Sequence, residues 1–202
     1  MAESILDYAC ELGIPTPSHS RGQLVDYLKP KPAESSPWFS LSGKYGLGAF
    51  PFHTDSAHRR VPPRYVLLRS VGETNHVRPT LVLDSYTLRR EVADEAALTR
   101  DVWIVNGGRG AFLTTLLNEN LRPPNKIFRY DPVCMRPAHD RFTASVRVIE
   151  KANQKITSSS VQWNTGLLII IDNWRMLHAR SDAGDYNDEH RVLERCLIAD
   201  AI

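Results

Sequence analysis

The chain has 202 residues, of which 42% are hydrophobic and 24% are charged, an ordinary balance for a globular protein. This length fits one domain over residues 1–202 and is enough to bury a core. The 25 basic and 23 acidic residues leave a net charge of +2, which gives no electrostatic case for nucleic acid as a partner.

Three widely spaced cysteines, Cys10, Cys134 and Cys196, form no CxxC pair, so neither a zinc knuckle nor a disulfide framework is indicated. Scattered thiols are typical of a reducing compartment, and we expect a cytoplasmic protein. The sequence does not open with a basic region followed by an apolar run, so no signal peptide is predicted. The longest apolar run, residues 167–171, is far too short to span a bilayer, and no membrane partner is expected.

Hydrophobic periodicity predicts a short amphipathic helix over residues 4–12, which Gly13 and Pro15 end. Residues 15–42 are rich in Pro, Ser and Lys, which indicates a long loop with one short strand near residues 23–28. Long irregular segments in small domains are often functional. Because residues 15–42 come directly before the motif described below, we expect this segment to wrap a site.

Later runs rich in β-branched and aromatic residues predict further strands. They cover residues 64–69, 79–84, 127–131, 167–171 and 191–199. The best helix covers residues 138–155, and a surface helix is expected over residues 88–98. Residues 101–105 fit a strand or a helix end, and residues 106–110 fit a flexible turn that lacks the spacing of a phosphate-binding loop. Seven or eight short strands with two or three helices indicate a mainly β fold with flanking helices, of the sandwich or jelly-roll type.

A possible metal motif is His53-Thr54-Asp55. Alternation along a strand places residues i and i+2 on one face, so this imidazole and carboxylate could bind one ion from the same side. His178 follows the apolar run at residues 167–171, which we expect to be buried on both faces, and so lies at the edge of the core. A second histidine completes a 2-His-1-carboxylate set that suits non-haem Fe(II) oxygen chemistry. We call His53, Asp55 and His178 the candidate triad.

Two arginines follow His178 on the last predicted strand. On a strand, Arg191, Leu193 and Arg195 share one face. A buried guanidinium needs a carboxylate partner and offers it two parallel donors. A bound dicarboxylic co-substrate would supply that carboxylate.

These residues resemble those of the Fe(II)/2-oxoglutarate-dependent oxygenases, in the branch of taurine dioxygenase and clavaminate synthase. The resemblance is carried by residues 50–55, residues 166–180 and the closing Arg191 and Arg195. It covers most of the chain but is unspecific over residues 91–160. It implies a double-stranded β-helix, a jelly-roll or cupin-like core, in one oxygenase domain.

The resemblance also implies roles for single residues. The candidate triad would bind iron and form the catalytic centre. Arg191 would pair with the distal carboxylate of 2-oxoglutarate, and Thr80 would add a hydroxyl hydrogen bond. Arg195 would touch an acidic substrate or share the co-substrate.

The implied reaction uses Fe(II), 2-oxoglutarate and O2. It oxidises an unactivated C–H bond of a small polar metabolite, such as an amino acid or a biosynthetic intermediate, and releases succinate and CO2. Halogenating relatives have Gly or Ala at the position of Asp55, which argues against halogenation. The alternatives are a sulfonate or phosphonate dioxygenase in which Arg195 holds the anion, and a barrel that senses iron or a ligand without turnover.

The chain departs from the branch in two places. Thr165-Gly166 stands where relatives often have Gly-Asp, which we expect to be loop variation. The stretch between Asp55 and His178 is short, so we expect a more open pocket, or one that a second subunit of a homo-oligomer closes. Several further side chains have open interpretations: Arg180, Arg129 and Asp131 could reach the pocket or serve the structure, whereas His58 and His76 fit surface loops, and Trp163 and Trp174 fit the core.

Overall fold

The computed structural model describes residues 4–19, 22–72, 77–90, 95–107, 110–122, 125–155, 158–182 and 190–199. These residues form a 3-10 helix at Ala33–Ser35 and five α-helices: α1 Ile5–Leu12, α2 Leu41–Tyr45, α3 Ser85–Arg90, α4 Ala96–Arg100 and α5 Thr143–Lys155. Their fourteen strands are β1 Ile14–Thr16, β2 Val25–Leu28, β3 Phe50–His53, β4 Tyr65–Ser70, β5 Thr80–Asp84, β6 Trp103–Gly107, β7 Gly110–Thr114, β8 Leu117–Arg122, β9 Asn125–Phe128, β10 Met135–Pro137, β11 Ser159–Val161, β12 Leu168–Asp172, β13 Met176–Arg180 and β14 Leu193–Ala199.

Two antiparallel sheets form the centre of the fold. The first has the order β1-β14-β4-β12, with β2 also pairing with β14, and the second has the order β11-β5-β13-β3. Side chains from both sheets meet in one apolar cluster, which we call the interior cluster. It includes Val66, Leu68, Ile171, Leu193 and Leu197 from the first sheet, with Val82 and Met176 packed on it from the second. The predicted mainly β, jelly-roll fold is therefore confirmed.

The outer face of each sheet is covered by other elements. Helix α1 packs Ile5 and Ala9 against Leu67 and Cys196 of the first sheet. Its N-terminus is closed by a capping box, because the Ser4 hydroxyl accepts a hydrogen bond from the Asp7 amide and the Asp7 carboxylate accepts one from the Ser4 amide. The outer face of the second sheet, including Leu83, Leu177 and Ala179, packs against residues from α3, α4, α5 and β6.

None of the helices within the described ranges is long and apolar enough to cross a membrane.

The sequence prediction was wrong in its details between residues 85 and 100. The single surface helix expected over residues 88–98 is instead the separate helices α3 and α4, and residues 91–94 lie outside the described residues. Leu88 and Leu98 are 1% and 0% exposed, so this region packs on the core. The turn expected over residues 106–110 falls where β6 ends and β7 begins: Gly107 pairs with Gly110, and residues 108 and 109 lie outside the described ranges, so this prediction is not contradicted.

A second correction concerns the apolar run at residues 167–171. It forms β12 as predicted, but only one of its faces is fully buried, because Ile171 is 3% exposed and Ile170 is 51% exposed. The strand lies at the edge of the first sheet, paired with β4 alone. An edge position leaves its outer face without the cover that a central strand has.

Replacing Leu67 by alanine tests the packing of α1 on the first sheet. Leu67 is 0% exposed, so we expect Leu67→Ala to lower the free energy of unfolding by about 2–5 kcal/mol through lost burial and an unfilled cavity. Urea unfolding measures this change. Ile170 lies directly opposite Leu67 in the β12–β4 register but is half exposed, so Ile170→Ala is the matched control, with an expected loss below about 1 kcal/mol. Equal losses in the two variants would contradict the packing described.

Candidate metal centre

The two histidines of the candidate triad face each other across neighbouring strands. His53 is the last residue of β3 and His178 is the middle residue of β13, and the antiparallel register places them directly opposite each other. Their ring centroids are 4.3 Å apart. Both side chains are buried, with 6% and 7% of each residue exposed. His178 therefore lies within strand β13, whereas the sequence analysis had placed it only at the edge of the core.

His178 points into the space between the two sheets. Met176, two residues earlier on β13, packs on the interior cluster, and so does Val82, which lies opposite His178 on β5. Alternation along β13 and β5 therefore gives His178 and Thr80 the same interior direction. Thr80 is 4% exposed, and its hydroxyl accepts a hydrogen bond of 3.2 Å from the indole N–H of Trp163.

Asp55 reaches the histidines by a different route from the one that the sequence predicted. β3 ends at His53, so Asp55 lies in the turn after the strand and not on the strand face. The side chain of Asn173 positions it: the Asp55 amide donates to Asn173 Oδ1 at 2.8 Å, and Asn173 Nδ2 donates to the Asp55 carbonyl at 3.1 Å. Nδ2 also donates to the carbonyl of Pro63 at 2.9 Å. Asn173 is 0% exposed, and the sequence analysis did not single it out.

The middle residue of the motif is tied to a second segment. The Thr54 hydroxyl donates to the carbonyl of Phe128 at 3.2 Å and accepts from the amide of Tyr130 at 3.1 Å. The Thr54 amide donates to the Tyr130 carbonyl at 2.7 Å. Thr54 is 0% exposed, so its hydroxyl serves this buried connection and not a ligand.

The turn after Asp55 is held in an uncommon backbone conformation. Ser56 has a φ of 55°, in the left-handed region that costs a residue other than glycine about 1–2 kcal/mol. The fully buried Arg129 donates hydrogen bonds to the carbonyls of Ala57, Arg59 and Arg60, at 2.9, 2.6 and 2.6 Å. Burial lowers the pKa of Arg129 to about 10, which leaves it charged at neutral pH. Arg129 thus holds the Asp55 turn and does not reach the pocket.

The Asp55 carboxylate lies between a histidine and an arginine. Its Oδ2 is 3.8 Å from Nε2 of His178, and its Oδ1 accepts a hydrogen bond of 2.9 Å from Nη1 of Arg195. Burial by itself would raise the pKa of Asp55, but the charge of Arg195, with His178 and His53, lowers it below its usual value. The carboxylate is therefore ionised at neutral pH.

The two imidazoles can present unprotonated nitrogens to the same space. Burial, together with His53 and against the opposing effect of Asp55, lowers the pKa of His178 to about 3, so this ring is neutral at pH 7. Nδ1 of His53 is 2.9 Å from the carbonyl of Pro51, and donation to that carbonyl leaves the lone pair on Nε2. Within the described ranges, the buried Nδ1 of His178 has no hydrogen-bond partner.

The candidate triad fits a metal in the chemical type of its donors. Two imidazoles and one carboxylate are the donor set that non-haem iron prefers. As they lie, no three His, Cys, Asp or Glu side chains in the described ranges are already arranged to hold an ion. Because Arg195 holds one oxygen of Asp55, the other oxygen is the one that faces His178 and is placed to bind a metal.

The two late arginines differ in their surroundings. Arg195 lies on β14 and pairs with Asp55 and with Asp26, at 2.9 and 2.8 Å. Arg191 is 8% exposed but precedes β14, which begins at Leu193. The shared strand face that the sequence predicted therefore holds for Leu193 and Arg195 but not for Arg191.

Arg180 serves a segment near the site. It is 7% exposed, and its Nε donates to the carbonyl of Gly48 at 3.0 Å while its guanidinium lies 3.7 Å from the ring centroid of Phe50. Arg78, 3% exposed, donates to the neighbouring carbonyl of Leu47 at 2.8 Å. These two arginines fix the chain that leads into β3.

Other side chains match their expected roles. Trp163 and Trp174 are core residues at 4% and 2% exposure, and His58 is exposed. Asp131 caps a turn by accepting from the amide of Val133 at 2.7 Å. His76 lies outside the described residues.

Comparisons with known proteins agree with the resemblance seen in the sequence. The sequence profile of the Taurine catabolism dioxygenase TauD, TfdA family matches residues 128–197. None of the curated proteins matches the chain in sequence. The structure of an asparagine oxygenase in complex with Fe(II), 2S,3S-3-hydroxyasparagine and succinate has a TM-score of 0.76 at 20% identity, over 96% of this chain and 63% of that chain.

Two further solved structures have the same fold. The non-heme iron oxygenase OrfP, in complex with Fe, succinate and (3S)-hydroxy-L-Arg, has a TM-score of 0.68 at 18% identity, over 95% of this chain and 64% of that chain. PvcB from Pseudomonas aeruginosa has a TM-score of 0.67 at 17% identity, over 98% of this chain and 72% of that chain. The chain thus spans less than two thirds of the length of the asparagine oxygenase and OrfP, and it has the jelly-roll fold of TauD-like oxygenases.

The role of Asn173 can be tested without a ligand. Asn173→Ala leaves the buried amide and carbonyl of Asp55 without their partner, and each unsatisfied buried group costs about 1–3 kcal/mol. We expect a loss of that size in the free energy of unfolding, measured with urea, together with weaker binding of Mn(II) in calorimetry. Asn164 is exposed on a nearby loop, so Asn164→Ala is the control and should change neither quantity. An Asn173 variant as stable as the control would show that this side chain does not position Asp55.

Proposed function

We propose that the protein is an Fe(II)- and 2-oxoglutarate-dependent oxygenase that hydroxylates an unactivated C–H bond of a small polar metabolite, most simply an amino acid. The observation that carries this proposal is the position of His53 and His178. They lie opposite each other on paired strands, face the interior, and have the ionised carboxylate of Asp55 beside them.

The candidate triad would hold the iron through two imidazole nitrogens and one carboxylate oxygen. Bound Fe(II), with 2-oxoglutarate and O2, supplies the oxidising chemistry and releases succinate and CO2. The chain's own residues bind and orient the reactants and keep the interior dry. The neutral state of His178 and the ionised state of Asp55 mean that neither ligand must exchange a proton at neutral pH before it binds a cation.

Arg191 and Thr80 are the residues we assign to 2-oxoglutarate. Arg191 is buried and precedes the strand that carries Arg195, and Thr80 points inward beside His178. A guanidinium with a hydroxyl suits a carboxylate, because the first supplies charge and two parallel donors and the second one more hydrogen bond. Arg195 already pairs with two aspartates, so the distal carboxylate is assigned to Arg191.

Several observations support an amino acid or related metabolite as the substrate. The asparagine oxygenase and OrfP structures hold hydroxylated amino acids together with succinate. The net charge of +2 gives no support to a nucleic-acid substrate. A cytoplasmic location is part of the proposal, because Cys10, Cys134 and Cys196 are all free thiols. A homo-oligomer stays a prediction, and light scattering on the purified protein measures it.

Turnover is tested by succinate formation. Purified protein with Fe(II), ascorbate and 2-oxoglutarate should release succinate faster when the correct substrate is present, in a screen of amino acids, related acids and sulfonates. Mass spectrometry of the substrate should show the gain of one oxygen atom. A protein that binds iron and 2-oxoglutarate but releases no succinate with any compound would favour the sensing barrel over the enzyme.

Removal of either histidine should abolish metal binding. We expect His53→Ala and His178→Ala to lose iron, because two remaining ligands cannot hold Fe(II) against water at ordinary concentrations. The measurement is metal content after anaerobic reconstitution and desalting. His58 is exposed close to the motif in sequence, so His58→Ala is the control and should keep the wild-type iron content. Full iron occupancy in either triad variant would refute the assignment.

Arg191→Ala should chiefly weaken the binding of 2-oxoglutarate. Truncating one partner of a buried charge-assisted pair costs about 2–5 kcal/mol, and we expect an affinity loss in that range. Anaerobic titration of the metal-loaded protein with 2-oxoglutarate measures it. Arg136 is exposed on β10, so Arg136→Ala is the control. An unchanged affinity in Arg191→Ala would move the role to Arg195.

A further inference from the structure

We propose that the carboxylate of Asp26 occupies the Nε–Nη2 edge of Arg195 in place of a ligand, so that the substrate of this protein presents no acidic group to that arginine. This inference rests on the proposed function, since it concerns the substrate class of the same site. It assigns a positioning and specificity role to a residue of β2, the short strand that the sequence analysis predicted near residues 23–28 within the segment expected to wrap the site.

The hydrogen-bond donors of Arg195 already have partners. Nε and Nη2 of Arg195 both donate to Oδ2 of Asp26, at 3.3 and 2.8 Å, and Nη1 donates to Oδ1 of Asp55 at 2.9 Å. A carboxylate or sulfonate binds a guanidinium best through two parallel hydrogen bonds on one edge. The edge formed by Nε and Nη2 is already used by Asp26, so an acidic substrate would have to displace it.

The fold fixes the position of Asp26. Strands β2 and β14 are antiparallel, and their register places Asp26 directly opposite Arg195. The other carboxylate oxygen, Oδ1, accepts a hydrogen bond of 3.0 Å from the hydroxyl of Ser18, which is 7% exposed. Both oxygens of Asp26 are therefore engaged, and displacing it would break a cross-strand pair and a serine contact together.

The positive charge of Arg195 is also balanced by its neighbours. Arg195 stands between two carboxylates, with side chains that are 18% exposed for Arg195, 22% for Asp26 and 12% for Asp55. Arg59 also acts on Asp55 and Arg195 through its charge, while its own Nη1 donates to the Thr16 hydroxyl at 3.3 Å. Asp26 therefore neutralises the charge that would otherwise attract an anion.

Asp26 has a consequence for Asp55 as well. By holding Nε and Nη2, it keeps the guanidinium turned so that Nη1 stays on Oδ1 of Asp55. The second oxygen of Asp55 then stays directed at His178, 3.8 Å from its Nε2. Asp26 thus keeps an acidic group of the substrate away from Arg195 and orients the carboxylate of the candidate triad.

The experiment asks whether a small anion can replace the missing carboxylate. The metal-free proteins are heated at constant ionic strength while sodium formate or sodium methanesulfonate replaces sodium chloride. We expect neither anion to raise the unfolding temperature of the wild type above its value in chloride. We expect Asp26→Ala to unfold at lower temperature and to regain about 2–4 °C once formate exceeds its dissociation constant about fivefold, since a ligand that binds only the folded state stabilises it.

Two variants make the test specific. The double variant Asp26→Ala/Arg195→Leu lacks the guanidinium and should lose the response to formate. Asp26→Ser has a shorter side chain that leaves the place of the carboxylate open, so it should show the response to formate even if Asp26→Ala does not fold.

A response of the wild type to methanesulfonate that Arg195→Leu removes would show that Arg195 is open to acidic substrates, and would overturn the proposal. So would folded Asp26 variants with no response to formate. Neither iron nor turnover enters this experiment, so it can fail while the oxygenase assignment stands. Likewise, a failed succinate assay would not change the result of the formate experiment.

Discussion

The pairing of β3 with β13 is the constraint on which the candidate metal centre depends. It brings together two histidines that are far apart in sequence, with ring centroids 4.3 Å apart. β13 lies between β5 and β3, so hydrogen bonds on both sides fix its register. The turn that leads into β13 also carries Asn173, which holds the backbone of Asp55. One short segment therefore positions one histidine by strand pairing and the carboxylate by a buried amide side chain.

The surroundings of Asp55 show how the fold stabilises an unfavourable local arrangement. Ser56 has a positive φ, and Arg129 is a fully buried charge whose hydrogen bonds go to backbone carbonyls. Burying a charge is costly unless its donors are satisfied, and three carbonyls offset much of that cost here. The same bonds hold the turn in place. Rigid support of this kind lowers the entropic cost of ordering a site when its ligand binds.

Sequence patterns located most of the parts of this site but not the way in which they meet. The apolar and β-branched runs gave β4, β5, β12 and β14 close to their observed bounds. Amphipathic spacing gave α1 and all of α5, although the helix predicted over residues 138–155 began five residues before Thr143. These patterns are local, and burial on one face explains them. The prediction that Asp55 shares a strand face with His53 was wrong because β3 ends at His53, two residues before Asp55. Nothing local in the sequence shows that the Asp55 amide is bonded to the distant Asn173.

The missed helices have a similar cause. The residues around Leu88 and Leu98 carry many charges, which suggested one surface helix, yet both leucines pack on the outer face of the second sheet. Short helices separated by a break bury a few apolar residues each, and their periodicity is too brief to reveal it. Arg195 shows the same limit for polar residues. Its strand and direction could be predicted, and so could the short strand near residues 23–28 that carries Asp26, but no local pattern shows that these two strands pair.

Besides the pairing of β1 and β2 with β14, three arginines join the N-terminal part of the chain to the site. Arg195 binds Asp26, Arg180 binds the carbonyl of Gly48, and Arg78 binds the carbonyl of Leu47. Hydrogen bonds to backbone carbonyls do not depend on the side chain of the acceptor residue. The path of this segment can therefore persist while side chains along it change, and Trp38 and Phe39 are largely exposed within it. These bonds therefore support the site without fixing which side chains the segment presents to solvent.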